Sequence, residues 1–248
     1  MSSARFPALL FESVLDHEES FRGSVSHLAR EAGYVLAANP EIPGPEANAF
    51  LRIRTDRKEA EALLRRALKH DLGVVVDART RPPDLPARLK EAGFKSSGRR
   101  FVAFLDPDSL EVLPPGIQPE FTAVGPAQLE TLLKLMDAQK GESSRLVWSL
   151  RLRNLLFSAY LAKNAAGLVV FHCAGLARLI GPFPTEHVSD FAFFCTLVSH
   201  AWKRAVQKKC EKLYSLVPAE LIDSFKPVGF RVHEGWWVEE FSLDSSVY

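Results

Sequence analysis

The chain has 248 residues, 47% of them hydrophobic and 25% charged, and 31 Lys and Arg against 30 Asp and Glu leave a formal charge of +1. These values are ordinary for a globular protein and argue against extended disorder, a fibrous architecture and a surface built around nucleic-acid phosphates. The length allows one large domain or two smaller ones.

The first apolar run, 6–11 (FPALLF), is too short for a secretory core, and 9–11 reads as a strand. A long helix is expected from about 17 to 32, then a strand at 34–38. A proline-rich loop follows at 39–45, and another strand at 49–54. Residues 56–70 read as a helix, with Ala60, Leu63, Leu64, Ala67 and Leu68 on one stripe. The β-branched run Val74, Val75 and Val76 predicts a strand. Next come a short helix to Ala92, a glycine stop and a strand at 99–105. Pro107, Pro114, Pro115, Gly116 and Pro119 mark a linker at 107–119, which divides the chain into domains at 1–106 and 120–248.

Beyond the linker, helices are expected at 127–138 and 144–153, and strands at 155–163, 168–174 and 177–181. A helix at 188–208, a strand at 212–217, a helix from Ala219 to Gly229 and an extended, aromatic segment at 232–241 complete the chain. The longest uncharged stretches, 165–177 and 191–202, fall short of the roughly 18 residues that suggest a membrane span. Cys173, Cys195 and Cys210 form neither a disulfide framework nor a zinc spacing, so buried thiols in a reducing cytoplasm are expected.

The two halves share a repeat. Residues 85–94 (LPARLKEAGF) align without a gap on 221–230 (LIDSFKPVGF), so that Leu85 meets Leu221, Lys90 meets Lys226, and Gly93-Phe94 meets Gly229-Phe230. The same offset sets Pro82 on Pro218, Phe101 on Trp237 and Leu105 on Phe241. So long a period indicates duplicated domains rather than a solenoid. The repeated unit is helix, strand, helix, Gly-Phe, strand.

That order, with LKEAGF at 89–94 and its echo FKPVGF at 225–230, resembles the C-terminal half of the GNAT (N-acetyltransferase) superfamily. The strands before 181 and the run Ile180-Gly181-Pro182-Phe183-Pro184 are similar to that family's central sheet leading into its acyl-CoA helix. The resemblance implies an α/β fold of two GNAT-like mixed-sheet domains, the N-terminal one truncated. It covers most of 120–241 and about 50–105. It implies acyl-CoA-dependent transfer to an amine, with acetyl-CoA as co-substrate and a small-molecule or peptide acceptor. The same resemblance places the acyl-CoA contacts at Ile180, Gly181, Pro182, Phe183, Val188, Ser189, Asp190 and Ala192, with Glu186 or His187 as proton acceptor.

The chain departs from the family's phosphate loop, Arg/Gln-x-x-Gly-x-Gly/Ala. With Pro184 aligned on the family's proline, His187 stands at the Arg/Gln, Asp190 at the first glycine and Ala192 at the last position. A carboxylate repels a pyrophosphate where the helix dipole attracts it. Asp190 therefore also reads as a helix N-terminal carboxylate, with Ser189 or Thr185 as the cap. The family's tyrosine acid is missing as well, because Lys90 and Lys226, preceded by Leu89 and Phe225, hold its place. These losses support an alternative, a non-catalytic GNAT-like module that binds a ligand or partner.

Other residues carry weaker signals. His172 and Cys173 are neighbours on a strand and point to opposite faces, so they do not form a nucleophile and base. His187, Asp190 and His200 lack metal-ligand spacing, and no metal site is expected. The cations Lys203, Arg204, Lys208, Lys209 and Lys212 read as a solvated helix end. Trp237 is expected in the sheet core, and Trp236 on the other face, in reach of an acceptor cleft.

Overall fold

The computed structural model describes residues 5–110, 120–137, 142–162 and 166–243. It begins with α1 (Arg5–Gly23), where Phe11, Val14, Leu15 and Phe21 recur at helical spacing and are buried. This corrects two expectations. Residues 9–11 lie in that helix, and the helix ends at Gly23 instead of reaching 32, because 27–30 form a strand. Pro7 is tolerated in a first turn, where its missing N–H would have no partner anyway. That strand, β1 (His27–Arg30), is exposed at every position, so no alternation of polar and apolar residues marks it in the sequence.

The next elements are β2 (Val35–Ala38), β3 (Ala49–Leu51), α2 (Arg57–His70), β4 (Gly73–Asp77), α3 (Leu85–Glu91) and β5 (Lys95–Leu105). A single 3-10 turn covers Pro107–Ser109, and the rest of the expected linker, 111–119, lies outside the described residues. After it come β6 (Phe121–Ala123), α4 (Pro126–Asp137), α5 (Glu142–Arg151), β7 (Phe157–Ala162), β8 (Ala166–Cys173) and β9 (Leu176–Phe183). A 3-10 turn at Thr185–Ser189 leads into α6 (Phe191–Gln207), then β10 (Lys212–Pro218), α7 (Ile222–Phe225) and β11 (Phe230–Ser242). The helix expected over 219–229 is only a 3-10 turn and the one turn of α7. The Lys226 N–H still donates to the Ile222 carbonyl, but Pro227 has no N–H to continue that ladder.

The chain forms two compact units, residues 1–100 with 235–248, and residues 101–234. The division expected from sequence, 1–106 and 120–248, kept the last strand with the second half, whereas here 235–248 belong to the first unit. The first unit's strands run β1-β2-β3-β4-β11-β5, with β3 and β4 parallel and β4 antiparallel to β11. Its core gathers Phe50, Ile53, Leu63, Val74, Val76, Leu85, Leu89 and Phe241. In the second unit the order is β11-β5-β10-β9-β8-β7-β6. There β9 and β10 are parallel, and β6 to β9 are antiparallel neighbours.

Each unit thus contains one parallel strand–helix–strand crossover, β3-α2-β4 in the first and β9-α6-β10 in the second. The repeated Gly-Phe has a common backbone cause. Gly93 and Gly229 both sit at left-handed φ, +93° and +100°, which a Cβ disfavours. Phe94 and Phe230 then bury at the start of the following strands, 3% and 2% exposed.

Candidate active site

The second unit's crossover opens into a fork. β9 and β10 pair from Leu176 opposite Lys212 to Leu179 opposite Ser215, and the ladder ends there although both strands continue. Pro182, Pro184 and Pro218 lack the N–H a ladder requires. On its other side, β9 pairs Ile180 with Val169 and Phe183 with Gly167, so that Gly181 and Pro182 stand against Leu168 alone, a bulge that bends the strand. Gly181 lies in the bulge at φ +111°, where a Cβ would sit 3.2 Å from the Gly167 carbonyl oxygen. At the apex, the buried Ser215 hydroxyl donates to the Leu179 carbonyl oxygen at 3.1 Å, tying together the last paired rung.

The turn Thr185–Ser189 leads from β9 to α6 and packs on both, as well as on α7. Val188 anchors it, 4% exposed in the core. Glu186 is exposed, and half-buried His187 rests its ring 5.1 Å from that of Phe193. The Ser189 hydroxyl donates to the Glu186 carbonyl at 2.7 Å. Ala192 is exposed, and its carbonyl accepts from the Thr196 hydroxyl. Ile180, Gly181 and Phe183 are partly exposed and Pro182 is buried.

The helix cap is Asp190 itself, not Ser189 or Thr185. Its carboxylate accepts from the Phe193 N–H at 3.1 Å, filling an amide at the helix N-terminus with negative charge. Asp56 does the same for α2, accepting from the Glu59 N–H at 2.8 Å. The ladder thus ends in unpaired strand edges, and one first-turn amide of α6 is already occupied by a carboxylate.

Buried histidines flank the sheet. His172 Nε2 lies 3.0 Å from the Ser158 hydroxyl and Nδ1 4.0 Å from the Cys210 sulfur, and burial, then nearby Lys208, push its pKa down to about 4. Cys173 is half-buried and takes no part in these contacts; all three cysteines are free thiols. His200 is sandwiched between the rings of Phe121 and Tyr160, at 4.0 and 4.6 Å. Burial, then Arg204 and Lys203, push it too down to about 4. Among the basic residues of α6, Arg204 bonds Gln207 and lies over Tyr160. Lys203, Lys208 and Lys209 are exposed. Among the described residues no group of three His, Cys, Asp or Glu is placed to hold a metal ion.

Trp236 and Trp237 belong to the first unit. Trp236 stacks on Phe11 of α1 with ring centroids 5.4 Å apart, and Trp237 packs on the first unit's core beneath Arg99. The Trp236 expected beside an acceptor cleft is therefore covered by a helix. Ser215 and Ser158 were not anticipated. A lone serine inside an apolar strand, as in 213–217 (LYSLV), is the signal that could have found Ser215.

Comparison with solved structures gives a consistent result. A GCN5-related N-acetyltransferase from Kribbella flavida matches with TM-score 0.63 and 12% identity, over 94% of this chain and 95% of that one. The chain has the GNAT fold. A GNAT-family acetyltransferase from Novosphingobium aromaticivorans matches with TM-score 0.52 and 12% identity, over 90% and 93% of the two chains. A conserved protein of unknown function from Staphylococcus epidermidis matches with TM-score 0.61 and 10% identity, over 87% and 93%. No protein-family model and no curated protein matches the sequence. Because the Kribbella match spans nearly the whole of both chains, the GNAT likeness includes residues of both units. No helix among the described residues is long and apolar enough to cross a membrane.

Proposed function

We propose that the chain is an acyl-CoA-dependent N-acyltransferase acting on a small-molecule or peptide amine, with the reaction in the β9–β10 fork of the second unit. The observation that carries this reading is the end of the parallel ladder at Leu179 and Ser215, with both strands running on. An acyl arm with amide groups can lie between the two strand edges and pair with backbone beyond the last rung. Backbone N–H groups of the 179–183 segment polarise the thioester carbonyl in this reading.

The chemistry asks little of side chains. The amine nitrogen bonds to the acyl carbon, the carbon–sulfur bond breaks, and the sulfur leaves as a thiol once it gains a proton. The attacking amine must lose a proton, and Glu186 and His187 on the turn beside the fork are the groups offered for it. Replacing the true acceptor, as Glu186→Gln or His187→Ala, lowers kcat by about 10²–10⁴-fold. Acetyl transfer to a panel of primary amines, followed by thiol release, tests the reading. Absence of turnover with every amine, despite bound acetyl-CoA, would remove it.

A second reading has its own observation, the Asp190 carboxylate on the Phe193 amide. In that reading the fold is kept as a non-catalytic binding module, and the fork takes a ligand without a pyrophosphate. Thermal stabilisation by CoA separates the two, because a ligand at 100 times its Kd adds about 2.7 kcal/mol.

A further inference from the structure

The second unit holds a cavity of about 630 Å³ that the fork chemistry does not use. It lies at the β6–β7 edge, and β8 stands between β7 and β9. β6 is three residues long and pairs with β7 from Ala162 to Tyr160. The Val124 N–H then donates to the Ala159 carbonyl at 2.9 Å, and β7 continues to Phe157 without β6. The start of α4 and the chain leaving α5 border this edge and leave it half open to solvent, so the cavity follows from a short strand beside a longer one.

Its lining is that of a small-molecule site, apolar walls with a few polar groups on one side. Leu129, Leu152 and Phe157 supply apolar surface, and Ser158 and Tyr160 border it from the strand whose side chains turn toward α6. Arg153 is the one charged side chain of the lining; it is exposed at the mouth and makes no ion pair among the described residues. The Ser158 hydroxyl is held at 3.0 Å by His172 Nε2. The buried imidazole of His172 is neutral at neutral pH, since burial and the Lys208 charge push it down to about 4. It adds no positive charge that would rival Arg153.

We propose that this cavity binds a small carboxylate with an aromatic or branched aliphatic body, at a site separate from the acyl-transfer fork. Arg153 takes the carboxylate through paired N–H donors, which a planar guanidinium offers and a neutral amide cannot match. The apolar walls accept the body, and the area they remove from water supplies the affinity.

The test uses the full chain and four probes, butyrate, isovalerate, phenylacetate and cinnamate, each beside its amide. Titration calorimetry measures affinity, and amide chemical shifts report location. At least one carboxylate binds, about tenfold or more tighter than its amide, and Arg153→Gln weakens it by about tenfold or more without changing the melting temperature. Arg153→Lys, which keeps the charge and loses the fork geometry, falls between. The shifts concentrate at Gly125, Leu152, Phe157 and Ser158. Binding of no carboxylate, equal binding of acid and amide, indifference to Arg153→Gln, or shifts centred on 180–183 would each overturn the proposal. None of these readouts involves CoA, so the result stands apart from the fate of the acyltransferase reading.

Discussion

The two crossovers differ at the point where their parallel ladders end. In the second unit, β9 and β10 part after Leu179 and Ser215, and the proline-marked segment beyond stays open. In the first, β3 and β4 pair at Ala49–Gly73 and Phe50–Val74, and the chain beyond is bound again. The Arg81 N–H donates to the Ile53 carbonyl, the Thr55 N–H donates to the Arg81 carbonyl, and Arg54 pairs with Asp77 at 2.8 and 3.1 Å. Asp77 is only 4% exposed, so the pair is a latch set inside the fork. The same crossover is thus bridged by an ion pair in one unit and, in the other, runs into prolines that offer no N–H for a further rung. A shared fold does not oblige both units to keep a ligand site.

Four measurements break or sharpen this comparison. Acid acts on the second unit first, because His172 and His200, both pushed down to about 4, lie there. The unfolded chain binds protons near 6.5 and the folded one near 4. Stability therefore falls as pH drops between those values, by up to about 3 kcal/mol for each histidine. Hydrogen exchange at descending pH should show β8 and α6 losing protection before β3 and β4; the reverse order would contradict it. Next, Ile180→Trp fills the open fork and weakens acetyl-CoA binding by about a hundredfold, or about 3 kcal/mol. Calorimetry on a variant with an unchanged circular dichroism spectrum reads the effect.

The latch comes third. Arg54→Ala leaves the Asp77 carboxylate buried without its guanidinium and costs about 2 kcal/mol, less than a fully buried pair because Arg54 is 30% exposed. Denaturant unfolding checks it, and a neutral result would mean the latch carries no strain on removal. The smallest effects belong to the caps. Asp190→Ala and Asp56→Ala each cost about 1 kcal/mol of stability. Of the two, only Asp190→Ala should tighten CoA binding, since it frees the Phe193 amide and removes a negative charge. Weaker CoA binding in that variant would refute the placement of the phosphates at α6.

Much of the architecture was legible because its signals are local. The apolar stripe of α2, the β-branched run of β4 and the Gly-Phe stops at 93–94 and 229–230 need no tertiary context. Expectation failed where tertiary pairing decides. β1 is an exposed edge strand that exists because β2 offers it a partner, and 235–242 join the first unit through pairing of β11 with β4. Proximity in sequence had kept Trp236 with the second half. At the candidate site, the unusual Asp190 was visible, but its hydrogen bond to Phe193 was not. The fork was not legible, since the end of a ladder is a relation between strands 36 residues apart at Leu179 and Ser215.

The central claim is that one crossover of the two is open and takes acyl-CoA. Titrating the full chain with acetyl-CoA by calorimetry tests it most directly. The account predicts a single binding event of one molecule per chain, weakened about a hundredfold by Ile180→Trp and unaffected by Asp56→Ala. No binding at millimolar acetyl-CoA, or two molecules per chain, would contradict it.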